Sequence, residues 1–461
     1  MKFFHGVMGW FCAAWVLGGV VPAQEINFES AGSHFVLNPQ SVVTTDLNAD
    51  GFTDLVVAST AGNEVLVFAG RMDGTFDDPI GFYTSTPYDL ATGDFNGDGD
   101  IDVAVTNLLG GSVTVFPGLG NGILGGGSVF PSGATPRGLA TADFNGDGNL
   151  DLVIANEGAN NVVVLLGTSG GGFTIPLSIA TVVSPSHVAT GDFDLDGNPD
   201  LAIVSSEDST IRLRFGNGAG AFPNEIDMIM GVDDSLWFID AQDIDGDGIL
   251  DLVVPCTFNT ALAIVRGTPG GSFFPPEMYP AGEQPRQAIV GDFDLDANPD
   301  IVAVNLDSQE FSLYHGIGAG LFLDPQDWAV GGACISLAAA DFDGDDRLDL
   351  VVSDQLQHEL KIYLNRNSRK FVRGDVNGSG TIEFSDAVEL LNFVFLNEDV
   401  DCPDTADIDD DGTLLLSDAI VLLTHLFLQG VPPAPPSGST CGFDPTVDSL
   451  DPCGTPVDFC P

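Results

Sequence analysis

The chain has 461 residues, with 67 acidic side chains against 13 Lys plus Arg, a formal charge of −54. A field of that sign repels phosphate backbones and anionic membrane surfaces, which excludes non-specific nucleic-acid binding and makes cations the natural partners. Hydrophobic residues make up 44%, enough for a large core, and 57 glycines divide the chain into short elements. A turn-rich, mainly β fold is expected.

Residues 1–23 read as a secretory signal peptide: Lys2, an apolar run from about Val7 to Val21, then Val21-Pro22-Ala23 ahead of Gln24, with no acid. The alternative is an uncleaved anchor, and the small residue before Gln24 favours cleavage. No second apolar run of spanning length follows, so the expected mature chain is secreted, extracellular or at a cell surface, without a membrane span. Cys12 leaves with the signal. Cys402, Cys441, Cys453 and Cys460 lie near the C-terminus, allow three pairings and suit an oxidising compartment, whereas Cys256 and Cys334 are candidate free thiols.

Residues 24–372 are organised by repetition. Seven copies of one acidic segment begin at Asp46, Asp94, Asp143, Asp192, Asp243, Asp292 and Asp341, spaced by 48, 49, 49, 51, 49 and 49 residues. A period near fifty is that of a propeller blade. In the second copy four apolar runs appear, at Leu90–Thr92, Val103–Thr106, Val113–Phe116 and Val129–Phe130, and a Gly-rich turn ending on an aromatic recurs, as in Gly216–Phe222 and Gly316–Phe322. Each unit is expected to be a four-stranded antiparallel meander, and seven of them a seven-bladed β-propeller whose blades bury both faces.

Each copy sets oxygen side chains at loop positions 1, 3, 5 and 9. The sets are Asp46, Asn48, Asp50, Asp54; Asp94, Asn96, Asp98, Asp102; Asp143, Asn145, Asp147, Asp151; and Asp192, Asp194, Asp196, Asp200. The last three are Asp243, Asp245, Asp247, Asp251; Asp292, Asp294, Asp296, Asp300; and Asp341, Asp343, Asp345, Asp349. A pair of such charges ~4 Å apart repels by about 4 kcal/mol at an effective dielectric of ~20. A hard divalent ion taking six to eight oxygens removes that repulsion, and calcium is the expected cofactor. Position 12 is apolar in every copy and a β-branched run follows, so these are strand-loop-strand sites closed by the position 9 Asp, not EF-hands. Ala297 and Asp346 stand where the other loops have Gly, which marks the sixth and seventh loops as weaker.

On these residues the chain resembles the FG-GAP or VCBS repeats of integrin α-subunit propellers and many secreted bacterial proteins, over about residues 30 to 372. The resemblance implies calcium loops between the first and second strands of each blade, on one face of the ring, with ligands meeting the opposite face.

Residues 373–430 hold a second module. Asp375, Asn377, Ser379, Thr381, Glu383 and Asp386 occupy positions 1, 3, 5, 7, 9 and 12 of one loop, and Asp407, Asp409, Asp411, Thr413 and Asp418 recur in a second. Both loops run into helical periodicity, Ala387, Leu390, Leu391, Val394 in one and Ala419, Leu422, Leu423, Leu426 in the other. This EF-hand-like pair resembles a type I dockerin, which implies calcium and a cohesin-like protein or surface receptor as partner. Leu415 at position 9 of the second loop and the Phe384-Ser385 and Leu416-Ser417 pairs depart from the family pattern. Arg373-Gly374-Asp375 spells an adhesion tripeptide, but Asp375 is already the first ligand of a loop. Residues 431–461 are a Pro-rich spacer and the Cys-bearing tail.

Catalytic motifs are sparse. His34, His187, His315, His358 and His425 are not spaced as a metal pair, and the GxSxG match at Gly167–Gly171 falls in a strand-connecting turn. Six residues before each loop's first Asp stand Gln40, Tyr88, Arg137, Ser186, Trp237, Arg286 and Ile335, which in register ring the channel mouth away from the calcium loops. Bidentate Arg contacts and ring stacking there suit a ligand such as an acidic sugar, against the alternative of interblade packing. The expected function is a non-catalytic binding or scaffold protein with a glycan or protein ligand. Its rivals are a dockerin-bearing polysaccharide-degrading enzyme and an integrin-like adhesin.

Overall fold

The computed structural model describes residues 26–174, 176–230, 234–366, 384–396 and 416–428, with Val376, Ile382 and Ile408. The chain divides into two compact units, Met1–Asn365 and Arg366–Pro461.

Among the described residues, the first unit contains seven four-stranded antiparallel sheets. Blade 2 is representative, with strands Pro87–Gly93, Asp102–Asn107, Ser112–Phe116 and Ser128–Pro131. The first strands of blades 1 and 3 to 7 are Pro39–Thr45, Pro136–Ala142, Pro185–Gly191, Asp240–Gln242, Pro285–Gly291 and Cys334–Ala340. Side chains alternate between the faces of a strand, and the second strands use both faces. Leu55 and Val57 pack toward blade 7, whereas Val56 and Ala58 pack toward blade 2. Seven hydrophobic clusters each join two successive blades, and the one joining blade 7 to blade 1 closes the ring. Burial on both faces therefore holds for the second strands, which are buried throughout, but not for the fourth. At the rim those strands face solvent, as in Ser128–Pro131 and Gln326–Ala329.

The seventh repeat supplies only three strands. Its fourth is the N-terminal strand Phe28–Phe35, paired antiparallel with Glu359–Asn365 from Phe28 opposite Asn365 to Phe35 opposite Glu359. The repeat pattern did not show this seam, because a cyclic array has no preferred starting phase. Phe28 anchors it, lying edge-on to Phe293, Phe311 and Trp328 at centroid distances of 6.0, 5.4 and 5.5 Å.

The second unit has helices α1 (Phe384–Leu396) and α2 (Leu416–Leu428). Val376, Ala387 and Leu390 share one buried cluster with Ile408, Ala419 and Leu422. Phe384 and Phe427 meet edge-on at 5.8 Å. Asp386 and Asp418 sit buried in the first turns, where a carboxylate suits the helix dipole, and Asp418 Oδ1 accepts the Ile408 N–H at 3.0 Å.

Candidate functional site

The acidic loops are built by their own hydrogen bonds. In blade 4, Asp192 Oδ1 accepts the Asp196 N–H at 3.0 Å and Asp192 Oδ2 the Gly197 N–H at 2.9 Å, while Asp196 Oδ1 accepts the Asn198 N–H at 2.9 Å. Two left-handed residues curl each loop, at positions 4 and 6. The sequence signalled only the second. Ala49, Leu195 and Leu295 hold position 4 without being glycine, at φ of 56°, 64° and 59°, and Ala297 and Asp346 reach 69° and 65° at position 6. The sixth and seventh loops thus close like the others despite lacking that Gly, at a local cost of roughly 1–2 kcal/mol per residue.

The position 9 Asp has a role beyond closing a cage. All seven are buried, and each ties two backbone groups together. Asp54 Oδ2 accepts the Leu47 N–H at 3.0 Å and Oδ1 the Gly70 N–H at 2.8 Å. The same pair of bonds recurs at Asp102, Asp151, Asp200, Asp251, Asp300 and Asp349. Burial pushes these carboxyls up, the other loop acids add to the rise and the N–H bonds oppose it. Asp151, Asp200 and Asp251 reach about 6, and Asp349 about 7.

The donor set fits a hard cation. Carboxylate oxygens of Asp192, Asp194 and Asp200 lie within 4.8 Å of one another, as do those of Asp243, Asp245 and Asp251, of Asp341, Asp343 and Asp349, and of Asp292, Asp294 and Asp296. In blades 1 to 3 the amide of Asn48, Asn96 or Asn145 replaces one carboxylate and donates to a loop acid. In the second unit, Asp375, Asn377, Ser379, Thr381, Glu383, Asp407, Asp409, Asp411 and Thr413 lie outside the described residues, as do the signal-like segment, the spacer and the four tail cysteines. Cys256 and Cys334 are buried free thiols.

Gln40, Tyr88, Arg137, Ser186, Trp237, Arg286 and Ile335 all line one cavity of about 320 Å³. A register break at the start of each first strand brings them there. Pairing with the second strand skips after Pro39, Pro87, Pro136, Pro185, Pro285 and Cys334, which frees the next side chain from the ladder. In blade 5 regular pairing starts only at Asp240, after an isolated bridge between Leu236 and Cys256, so Trp237 precedes its strand rather than beginning it.

Two guanidinium groups meet in this cavity. Arg137 stacks on Tyr88 and Trp237 at 4.9 and 5.0 Å, donates to the Tyr88 hydroxyl at 2.5 Å and pairs with Glu157 at 2.7 Å. Burial lowers its pKa, but Tyr88 and Glu157 outweigh burial and raise it. Arg286 stacks on Trp237 at 4.7 Å, and its single polar contact among the described residues is a 3.4 Å bond to Gln284; its Nε has no partner. Burial holds the Arg286 guanidinium below its ordinary pKa, with Tyr88 and Asp307 opposing the fall and Arg137 adding to it.

Asp89, His187, Phe238 and Gln287 line the same cavity, though sequence counting passed over them as lining residues. Each directly follows a mouth residue, and strand alternation would turn it away. In blades 2, 4 and 6 the bulge puts both on the mouth, whereas Phe238 lies ahead of its strand. These second residues also staple neighbouring blades: Asp89 Oδ2 accepts the Leu139 N–H at 2.9 Å and Gln287 Oε1 the Leu337 N–H at 3.1 Å. The proline that opens five of the first strands was the available signal, since it cannot donate to the ladder at a strand start.

A family model described as FG-GAP-like repeat matches residues 46–105, 94–154, 143–203, 192–254 and 292–352, each match running from one acidic loop through the next. No curated protein matches the chain. Among solved structures, the chain is similar to BBS1N in complex with ARL6DN, in crystals soaked with lead or mercury, at 11% and 13% identity and a TM-score of 0.52. Both alignments cover 73% of this chain and 97% of that one. A putative 6-phosphogluconolactonase from Bacteroides uniformis ATCC 8492 aligns at 18% identity over 65% of this chain and 88% of that one, with a TM-score of 0.49. At these identities the likeness is one of fold.

Proposed function

The chain belongs to the FG-GAP-like repeat family, and on that footing we propose that it is an exported, non-catalytic binding protein whose propeller takes an acidic ligand in the Arg137–Arg286 mouth. The observation that carries this reading is Arg286, a cation set against Trp237 inside a cavity, with no carboxylate in ion-pair contact among the described residues and an unpartnered Nε. In a chain of charge −54, Asp307 acts on this partly buried guanidinium only from beyond ion-pair distance, so the acidic group of a ligand can supply a closer counter-charge. A uronate offers a planar carboxylate for bidentate hydrogen bonding and a sugar face for Trp237. Against the hydrolase alternative, among the described residues the mouth has one lining carboxylate, Asp89, whose oxygens accept bonds from Ser41 and Leu139.

Calcium in this reading is structural. The position 1, 3, 5 and 9 side chains of each loop would hold it, and its chemistry there is charge neutralisation. The α1–α2 unit, with Asp386 and Asp418 at the twelfth loop positions, is proposed to be a dockerin-like calcium-dependent attachment to a cohesin-like protein or surface receptor.

Titration calorimetry with oligogalacturonate, and with a neutral glycan of equal length, tests the mouth. Each charge-assisted bond contributes about 1.5–3 kcal/mol, so Arg286→Ala is expected to weaken uronate binding at least ~10-fold at unchanged Tm. Equal affinity of the variant, or equal binding of the neutral glycan, overturns the proposal. A protein ligand competing for the same mouth would favour the adhesin.

A further inference from the structure

Blade 6 differs from the other blades at one buried position. Fifteen residues after the position 9 Asp, the other copies carry Ala69, Pro117, Leu166, Phe215, Arg266 and Leu364, whereas blade 6 carries His315. His315 is 3% exposed. Its Nδ1 lies 3.5 Å from Asp294 Oδ2 and 4.0 Å from Asp300 Oδ1. Among the described residues neither Nδ1 nor Asp294 Oδ2 has a hydrogen-bond partner. Asp294 is itself 6% exposed, while the position 3 residues of the other six loops are only half-buried. One donor atom from each of Asp294, Asp300 and His315 lies within 4.8 Å of the others.

Two buried polar atoms facing each other at 3.5 Å are too far apart for a good hydrogen bond. That separation is the one expected of two donors sharing an ion about 2.0–2.2 Å from each in a tetrahedral site. Calcium takes oxygen ligands, whereas an imidazole nitrogen beside carboxylates suits a borderline transition dication. We propose that Asp294, Asp300 and His315 form a mixed nitrogen–oxygen site for a zinc-class divalent ion within the sixth blade. The proposal shares Asp294 and Asp300 with the sixth calcium loop of the reading above, but rests on His315.

The full chain, stripped with chelator and returned to 1 mM calcium, is titrated with zinc alone. The wild type is expected to take up a zinc equivalent that His315→Leu loses, leucine being what blades 3 and 7 carry there, with calcium uptake unchanged. Cobalt(II) in place of zinc is expected to give a tetrahedral visible absorption in the wild type that is absent from His315→Leu and from Asp294→Asn, a second variant of nearly equal volume. Zinc uptake identical in the wild type and both folded variants, or no zinc uptake by the wild type, overturns the site. Zinc uptake lost with His315 in a protein that takes no calcium sinks only the calcium reading, and calcium uptake without zinc sinks only this one.

Discussion

Asp200→Ala separates the structural role of an acidic loop from its affinity for a cation. Asp200 is fully buried and accepts the Phe193 N–H at 2.9 Å and the Gly216 N–H at 2.7 Å, joining the loop's start to the turn after the third strand. Alanine leaves both donors enclosed without acceptors, a cost of about 1–3 kcal/mol each. Part of that is offset, because burial already holds the carboxyl at about 6 and its charge is lost with it. The net cost is about 2–4 kcal/mol. For a ring of roughly 340 residues the unfolding entropy is on the order of 0.7 kcal/mol/K, so Tm is expected to fall by about 3–6 °C. Asp196→Ala is the control. That side chain is exposed and accepts only from Asn198, so its loss is expected to cost about 0.5 kcal/mol.

Scanning calorimetry of both variants at pH 7.5 in EGTA, then in ~1 mM calcium, reads the two effects apart. If a site binds with Kd ~0.1 mM, calcium adds RT ln 11, about 1.4 kcal/mol, to the wild type at each loop. Both variants forfeit that share, so each gap to the wild type should widen by about 2 °C when calcium is added. Equal melting of the two variants in EGTA would refute the clamp, and gaps indifferent to calcium would refute the metal.

Three further outcomes are expected. In chelator, Tm should fall as pH rises from about 4 to 7: the folded pKa values of about 6 at Asp151, Asp200 and Asp251 and about 7 at Asp349 exceed 3.8, so in that window the folded form binds more protons and loses stability on releasing them. Calcium should reduce or reverse the slope, and a rising Tm in EGTA would contradict the assignment. Phe28→Ala, which deletes the ring packed among Phe293, Phe311 and Trp328, should cost about 3–5 kcal/mol and expose the N-terminal strand to protease. Lys361→Ala strands the fully buried Asp354, whose Oδ2 it meets at 2.8 Å, and should cost about 3–5 kcal/mol, whereas the Asp354→Asn, Lys361→Met double variant should cost less in the same melts.

The blade count and the loops were legible because both are written in strong local code. A nine-residue acidic pattern recurs at a near-constant pitch, and each copy leads into a run such as Leu55-Val56-Val57 that both faces of a sheet must bury. The mouth residues were reachable by counting back six from each loop, since that distance is the same in every blade, including the fifth, whose Trp237 precedes its strand. The closing strand was not legible. Phe28–Phe35 reads FESAGSHF, and as a rim strand it faces solvent at most positions, so it carries almost no hydrophobic pattern. His315 was equally silent, because its significance lies in Asp294 and Asp300, which precede it in sequence and meet it only once the third strand has folded back over the loop.

The bulges explain why the mouth can vary while the ring repeats. Within this one chain the position 9 residue is Asp in all seven copies and the second strands are uniformly buried, because each position there is fixed by a neighbouring blade or by two backbone N–H groups. The mouth residue is less uniformly constrained: Ser186 is buried and donates to the Leu236 carbonyl of the next blade at 2.5 Å, whereas Arg286 makes no such bond. Lining the channel, and released from the ladder by a bulge in every blade but the fifth, the mouth residue is Gln, Tyr, Arg, Ser, Trp, Arg or Ile in successive blades, a set with no common size, charge or strand propensity. The residue after it staples the next blade where it is Asp89 or Gln287, so part of the ring's cohesion is carried by residues other than those that vary most. Variation of this kind on a channel-facing set of side chains is the physical ground on which recognition is proposed at Arg286 and Trp237 and stability at the loops.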